Sequence, residues 1–83
     1  MKKILKFQAE WCGPCHAIRP AINQISAETG IEVEEIDIDV NNEVSDKYAV
    51  ASIPTIVLLE DGQEVARHIG SAPKSIIMKN LNL

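Results

Sequence analysis

The seven residues AEWCGPC at positions 9–15 decide the fold, because they join a short apolar segment to a helical pattern. Residues 3–9 are mostly apolar and predict a strand buried on both faces, with Lys6 as the charged exception. Apolar residues at positions 18, 21, 22 and 25 recur at helical spacing, and Gly30 ends the pattern. Both cysteines therefore lie where a strand ends and a helix begins. Pro20, inside that helix, predicts a kink.

Downstream of Gly30 the pattern predicts three more strands and two short helices. β-branched residues at positions 31–40 predict a second strand, with an irregularity where the alternation changes phase between Val33 and Ile36. A short helix follows. The apolar run 56–59 and the Asp-Gly turn signal at 61–62 predict a hairpin whose returning strand, 63–69, buries two side chains. Those two are Val65 and Ile69. The last helix has an apolar side made of Ile76, Ile77 and Leu81.

The resulting order is strand, helix, strand, helix, strand, strand, helix. A helical crossover makes the first two strands parallel, whereas a hairpin makes the last two antiparallel. We therefore predict an α/β fold in one domain, 1–83, with a four-stranded mixed sheet and helices on both faces. A chain of 83 residues has room for one core only.

Composition argues against nucleic-acid and membrane partners. The core is aliphatic, since the chain has twelve Ile but one each of Phe, Tyr and Trp, and so offers no stacking surface for bases. The net charge of −4 repels phosphate backbones and anionic lipids. The sequence shows no apolar run of the roughly 18 to 20 residues that a membrane span needs, and no signal peptide. We expect a soluble, monomeric, cytoplasmic protein.

The only two cysteines, Cys12 and Cys15, predict thiol chemistry. A cross-link that closes so short a loop adds little stability, so its purpose is reactivity. Unpaired N–H groups and the helix dipole at the amino end of the helix are expected to lower the pKa of Cys12 below that of a free thiol. Gly13 and Pro14 allow the tight turn that holds the sulfurs together. We therefore predict that Cys12 attacks and that Cys15, one turn into the helix, resolves.

Zinc is the alternative use of this cysteine spacing, but a structural zinc site takes four ligands. The chain offers only His16 and His68 as further soft donors, and His16 directly follows Cys15. A zinc site within one chain is therefore not expected, and a metal shared between two chains remains the alternative.

From Ile4 to its C-terminus, the sequence resembles the thioredoxin family. The residues that carry the resemblance are the motif WCGPC at 11–15, Pro20, Ile53-Pro54-Thr55, the turn Asp61-Gly62, and Gly70. WCGPC is the thioredoxin version of the motif, whereas glutaredoxins usually carry a Tyr and disulfide isomerases a His between the cysteines. The family's opening strand and helix are absent from this sequence.

The resemblance implies a thiol-disulfide oxidoreductase, that is, a redox carrier that reduces protein disulfides and is recycled by a thioredoxin reductase. It implies no cofactor besides a redox-active Cys12–Cys15 disulfide. Ribonucleotide reductase is a familiar target of the family, although no residue here selects it. Two alternatives stay open: a glutaredoxin-like enzyme that uses glutathione, and a non-catalytic module that uses this fold to hold a larger enzyme.

The resemblance also implies a substrate surface around Cys12. It implies that Ile53–Pro54 is a cis peptide bond and that the backbone of Ile53 pairs with an extended substrate segment. Trp11, Gly70 and Ala72 would complete a shallow apolar surface. The substrate-binding residues expected on this basis are Trp11, Gly13, Pro14, Ile53, Pro54 and Gly70.

Three residues depart from the family's pattern. Where thioredoxins usually carry a buried Asp and a neighbouring Lys, this chain has Lys6 and Glu35, so the charges are exchanged. We hypothesise a partly buried pair beneath Cys15 that moves the proton which Cys15 must lose. The alternative is that Lys6 reaches solvent and Glu35 is an ordinary exposed residue. Gln8 replaces a common aromatic residue, which predicts lighter packing behind the motif.

Overall fold

The computed structural model describes residues 1–83, which form four strands and four helices. In chain order they are β1 (Lys2–Gln8), α1 (Gly13–Ala17), α2 (Arg19–Thr29), β2 (Glu32–Asp37), α3 (Asn42–Lys47), β3 (Thr55–Glu60), β4 (Gln63–Ile69) and α4 (Lys74–Asn80). The predicted kinked helix is thus two helices that meet at Ile18. Pro20 lies in the first turn of α2, where its missing N–H leaves no intrahelical hydrogen bond unmade.

The predicted four-stranded mixed sheet is confirmed, with strand order β2-β1-β3-β4. β1 pairs in parallel with β2 and antiparallel with β3, and β3 pairs antiparallel with β4. The crossover from β1 to β2 runs through α1 and α2, as a parallel pair requires. Because β1 is a central strand, the segment that leads into the cysteines is held on both edges.

Two apolar layers cover the sheet, one on each face. The layer that we call the α2 layer contains Ile4, Ile18, Ile22, Ile25, Ile31, Ile56, Leu58, Ile77 and Leu81. The layer that we call the α3 layer contains Leu5, Phe7, Ile36, Val57 and Leu59, with Val44 and Tyr48 packed against it. Helices therefore lie on both faces, as predicted.

The irregularity predicted in β2 is not present. The register of β2 against β1 runs without a shift from Glu32 to Asp37. Val33 packs against the α2 layer, whereas Ile36 belongs to the α3 layer. The change of phase in the sequence therefore reflects a strand that is covered on both faces, not a distortion of the backbone.

The irregular pairing lies instead between β3 and β4. Leu58 pairs with Ala66 but Leu59 pairs with Glu64, which leaves Val65 unpaired. Val65 and Ile69 are exposed, so the prediction that they are buried is wrong. The extra residue shifts the alternation of side chains along β4. Ala66 and His68 therefore face the α2 layer in place of Val65 and Ile69. Ile76 is also exposed, although its neighbour Ile77 is buried as predicted.

Candidate redox site

The two cysteines form a disulfide at the amino end of α1, with their Cα atoms 5.3 Å apart. Cys12 is the N-cap residue of α1, and its sulfur accepts a hydrogen bond from the backbone N–H of Cys15 at 3.1 Å. Pro14 occupies the first turn. α1 has only five residues, so it does not have the dipole of a long helix. Negative charge on the Cys12 sulfur is stabilised more locally, by the hydrogen bond from the Cys15 N–H.

The disulfide lies just below the surface. Cys12 has 4% and Cys15 has 1% of its surface exposed, a difference in the predicted direction but a small one. Gly13, Pro14 and Trp11 are exposed around the sulfurs.

An apolar groove of about 320 Å³ opens beside the dithiol. It is lined by Trp11, Ile38, Val50, Ala51, Ser52 and Ile53. The indole Nε1 of Trp11 donates to a carboxylate oxygen of Asp39 at 2.8 Å, which holds the ring as one wall. Of these residues, Trp11 and Ile53 were predicted from the sequence, whereas the other four were not. For Val50 to Ser52, closeness in sequence to Pro54 was the available signal.

The loop that carries Pro54 forms the edge of the site. The Ile53–Pro54 peptide bond is cis, as the family resemblance implied. Pro54 is buried, and its carbonyl accepts the N–H of Gly70 at 2.8 Å, so Gly70 lies beside this loop. Ala72 packs against the α2 layer and does not line the groove. The structure thus places the concave part of the surface on the Trp11 side and not beside Ala72.

The structure brings Lys6 and Glu35 together. The side chain of Lys6 is 1% exposed, and its Nζ lies 3.2 Å from a carboxylate oxygen of Glu35, whose side chain is 42% exposed. The alternative in which Lys6 reaches solvent is therefore wrong. Neither side chain hydrogen-bonds to a cysteine sulfur, because Lys6 Nζ is bonded to Glu35 and to Gln8.

Two partners of this pair were missed by the sequence analysis. The side-chain oxygen of Gln8 accepts a hydrogen bond from Lys6 at 2.5 Å, so Gln8 supplies a second acceptor. Arg19 Nε donates to the same Glu35 oxygen at 3.1 Å. The signal for Gln8 was its position two residues after Lys6, on the same face of β1. For Arg19 the sequence carried no such signal.

For both Lys6 and Glu35, burial and the neighbouring charges shift the pKa in opposite directions. Burial lowers the pKa of the Lys6 ammonium below its ordinary value, and the contact with Glu35 opposes that shift without cancelling it. Burial raises the pKa of Glu35, but its contacts with Lys6 and Arg19 outweigh this and hold the pKa below the ordinary value. Glu35 is therefore ionised at neutral pH.

No group of three or more His, Cys, Asp or Glu side chains is arranged to hold a metal ion. The His16 ring lies 2.7 Å from the carbonyl oxygen of Glu10. None of the helices is both long and apolar enough to span a bilayer.

A disulfide between the N-cap and first turn of a helix, at the end of a central strand and beside a cis-proline loop, defines a thiol-disulfide oxidoreductase of the thioredoxin type. The sequence model of the thioredoxin family matches residues 1–83, and the chain belongs to that family. Similar curated proteins are thioredoxins from Bacillus subtilis, 40% identical over 92% of this chain and 75% of theirs, and from Chlamydia pneumoniae, 39% identical over 95% and 78%.

Solved structures agree with this assignment. The thioredoxin of Fasciola hepatica superposes with a TM-score of 0.87 at 33% identity, covering 98% of this chain and 78% of its own. A thioredoxin from Nicotiana alata gives a TM-score of 0.87 at 35% identity, covering 98% and 70%. The chain is therefore a thioredoxin-type thiol-disulfide oxidoreductase.

Proposed function

We propose that this protein reduces disulfide bonds in other proteins, with Cys12 as the attacking sulfur and Cys15 as the resolving sulfur. The observation that carries the proposal is the hydrogen bond from the Cys15 N–H to the Cys12 sulfur. The same contact in the reduced protein stabilises a thiolate on Cys12, which is the reactive form of a thiol. Only the Cys12 sulfur receives such a bond, and Cys12 is the more exposed of the two residues.

The chemistry is two successive exchanges that together transfer two electrons. The Cys12 thiolate attacks one sulfur of the substrate disulfide, which forms a mixed disulfide and releases the other substrate sulfur as a thiolate. Cys15 then loses its proton and attacks the Cys12 sulfur. The second substrate sulfur leaves, and the Cys12–Cys15 disulfide seen in the structure closes. The substrate is reduced and the protein is oxidised.

The exposed surface around Cys12 supports a protein substrate. We assign substrate binding to Trp11, Gly13, Pro14, Ile53, Pro54 and Gly70. The groove beside Trp11 is open to solvent and lined mainly by apolar residues, so it can accept an extended apolar segment. The loop before Pro54 presents backbone groups to such a segment.

Lys6 and Glu35 are proposed to assist the loss of the Cys15 proton. Since neither group bonds to a sulfur, the proton would pass through water, with Glu35 as the acceptor, because it is ionised and its side chain is partly exposed. Lys6 would keep Glu35 ionised. In this account the pair sets how the resolution step depends on pH.

The test of this pair is the double variant Lys6→Met with Glu35→Gln. The rate at which Cys15 resolves a mixed disulfide should fall and should depend differently on pH between about pH 6 and 9. The matched control is Lys3→Met with Glu34→Gln, an exposed ion pair between the same two strands. An unchanged rate profile in the Lys6 and Glu35 variant would eliminate the proton-transfer role.

Trapping tests the assignment of the two sulfurs. A Cys15→Ser variant incubated with host extract should retain substrate proteins as disulfide adducts on Cys12, because the second exchange cannot occur. The Cys12→Ser variant is the control and should retain far fewer. Adducts of equal abundance on both variants would overturn the assignment. Absence of adducts, together with biological activity of a variant lacking both cysteines, would favour the non-catalytic binding module.

Several partners follow as proposals. A relative from Mycobacterium leprae, 35% identical over 95% of this chain, is a bifunctional thioredoxin reductase/thioredoxin, which supports a reductase as the recycling partner. We propose that the disulfide is the only redox centre, with no metal, flavin or nucleotide, and that the protein works as a cytoplasmic monomer. Ribonucleotide reductase is one target to test. Its turnover with this protein and a reductase, compared with the Cys12→Ser variant, decides the point.

A further inference from the structure

His68 is a buried polar residue that the proposed mechanism does not use. It lies on β4 with 5% of its surface exposed, opposite Ile56 in the register of β3 and on the side of the α2 layer. Both ring nitrogens have partners. Nε2 lies 3.0 Å from the carbonyl oxygen of Gly70, and Nδ1 lies 2.9 Å from the side-chain nitrogen of Asn80 on α4.

The chemistry of the partners fixes the direction of both hydrogen bonds. A backbone carbonyl can only accept, so Nε2 of His68 carries the proton and donates to Gly70. Nδ1 is then unprotonated and accepts from the Asn80 amide. Asn80 therefore selects the tautomer in which His68 holds Gly70.

Gly70 connects His68 to the loop that carries Pro54. Its N–H donates to the carbonyl of Pro54 at 2.8 Å, so both backbone polar groups of Gly70 are bonded. Its φ of +95° lies in the region that favours glycine. One line of three hydrogen bonds thus runs from α4 through His68 and Gly70 to Pro54.

We propose that His68 is a positioning residue for protein substrates, and that Asn80 acts through it. The pair fixes where Gly70 lies, and Gly70 fixes the Pro54 loop whose preceding residue, Ile53, faces the substrate segment. This inference rests on the proposed function, since it concerns how the substrate backbone is received. If the inference is correct, the binding of an extended substrate chain depends on His68, whereas the reactivity of the Cys12 sulfur is independent of His68.

A purely structural histidine gives a different expectation. If His68 only filled space in the α2 layer, an aromatic residue of similar size would replace it without effect on substrate binding, whatever the replacement did to the stability of the fold. If its loss loosened the whole site, all disulfides would be reduced more slowly. A positioning role predicts a loss for proteins alone.

The test compares two substrates in three variants. His68→Phe removes both hydrogen bonds, Asn80→Leu removes the donor to Nδ1, and Lys79→Leu is the control on the neighbouring exposed position of α4. With insulin as the protein disulfide, KM should rise about 2- to 10-fold for His68→Phe and less for Asn80→Leu, as expected for one lost hydrogen bond. Reduction of the small disulfide 5,5′-dithiobis(2-nitrobenzoate) should be unchanged. Lys79→Leu should match the unmodified protein on both substrates.

A conservative variant of His68 tests whether the hydrogen bonds themselves are responsible for the change in KM. His68→Gln keeps one donor and one acceptor and should recover part of the insulin KM. An unchanged KM in both His68→Phe and Asn80→Leu overturns the inference, as does an equal loss on the small disulfide. If His68→Phe does not fold, Asn80→Leu decides, because Asn80 is exposed. Failure of the proposed function is a distinct result, in which the unmodified protein itself does not reduce insulin.

Discussion

The two faces of β1 bury different chemistry. Toward α3, Leu5 and Phe7 are packed in hydrocarbon, with the Phe7 ring 5.8 Å from the ring of Tyr48. Toward α2, Ile4 is followed by Lys6 and Gln8, which are joined by a hydrogen bond. The polar pair lies at the end of β1 that leads into the cysteines. One strand thus contributes packing on one face and a charged network near the dithiol on the other.

The polar face of β1 is less favourable for stability than the apolar face. A buried ammonium without partners would cost several kcal/mol, and here Glu35 and Gln8 offset that cost. A hydrocarbon side chain in place of Lys6 would need no partner. If the α3 layer supplies stability and the Lys6 network supplies proton chemistry, substitutions on the two faces should separate these properties.

The largest effect is expected on the α3 side. Phe7→Ala removes a fully buried ring and should lower the free energy of unfolding by about 3–5 kcal/mol, from the lost transfer energy and the cavity. Urea denaturation of the oxidised protein measures this change. A loss below about 1 kcal/mol would mean that the layer collapses around the gap and is not the main source of stability.

On the α2 side, Glu35→Ala should have a smaller effect. It leaves the Lys6 ammonium buried with Gln8 as its only remaining acceptor. Because Glu35 is partly exposed, we expect a loss of about 1–3 kcal/mol, below the value for a fully buried pair. The matched control is Glu34→Ala, whose partner Lys3 is exposed and whose loss should stay below about 1 kcal/mol. Equal losses for Glu34→Ala and Glu35→Ala would remove the distinction.

The pH dependence of stability gives a third comparison, with its sign fixed by the two pKa shifts. Since the pKa of Glu35 in the folded state lies below its ordinary 4.5, the unfolded chain binds the proton first, and stability should fall as pH drops through 4.5. Since the folded-state pKa of Lys6 lies below 10.5, the contribution of Lys6 to stability should rise as pH approaches 10.5, whereas Lys3, whose pKa is raised, contributes in the opposite direction.

Unfolding free energies measured across pH check both signs. Asp61 and Glu64 also have lowered pKa values, so the acid decline must be compared with that of Glu35→Gln, which should be shallower. Lys6→Met should lack the alkaline rise attributed to Lys6. Parallel profiles for the variants and the unmodified protein would show that the pair does not titrate as described.

The smallest effect is expected at Tyr48. Its ring packs against the α3 layer, but its hydroxyl makes no hydrogen bond within the protein. Tyr48→Phe should therefore change the free energy of unfolding by less than about 0.5 kcal/mol. A larger loss would reveal a polar contribution on the face that we describe as hydrocarbon.

Local signals in the sequence were sufficient for the elements and the dithiol. The hairpin turn is an example, since both Asp61 and Gly62 adopt positive φ values, as the Asp-Gly signal predicts. The pairing of Lys6 with Glu35 was predicted from the family resemblance, in which these two positions carry the opposite charges, together with the need of a buried lysine for a carboxylate partner. These features depend on a few adjacent residues or on one strand pair.

The features that were missed depend on three-dimensional placement. The extra residue at Val65 changes which side chains of β4 face inward, and no local pattern marks it. Arg19 reaches Glu35 only because α2 begins close to β2. Ile38 and Ala51 line the groove because two loops meet beside Trp11. Spacing along the chain does not encode such meetings.

The most direct test of the central claim measures how the two thiols ionise in the reduced protein. The rate of alkylation of each cysteine, recorded as pH increases, reports that ionisation. We predict that Cys12 becomes reactive at a distinctly lower pH than Cys15, because only the Cys12 sulfur accepts a hydrogen bond from a backbone N–H at the start of the helix. If the two thiols instead ionise together and react like free cysteine in water, the assignment of Cys12 as the attacking sulfur is contradicted.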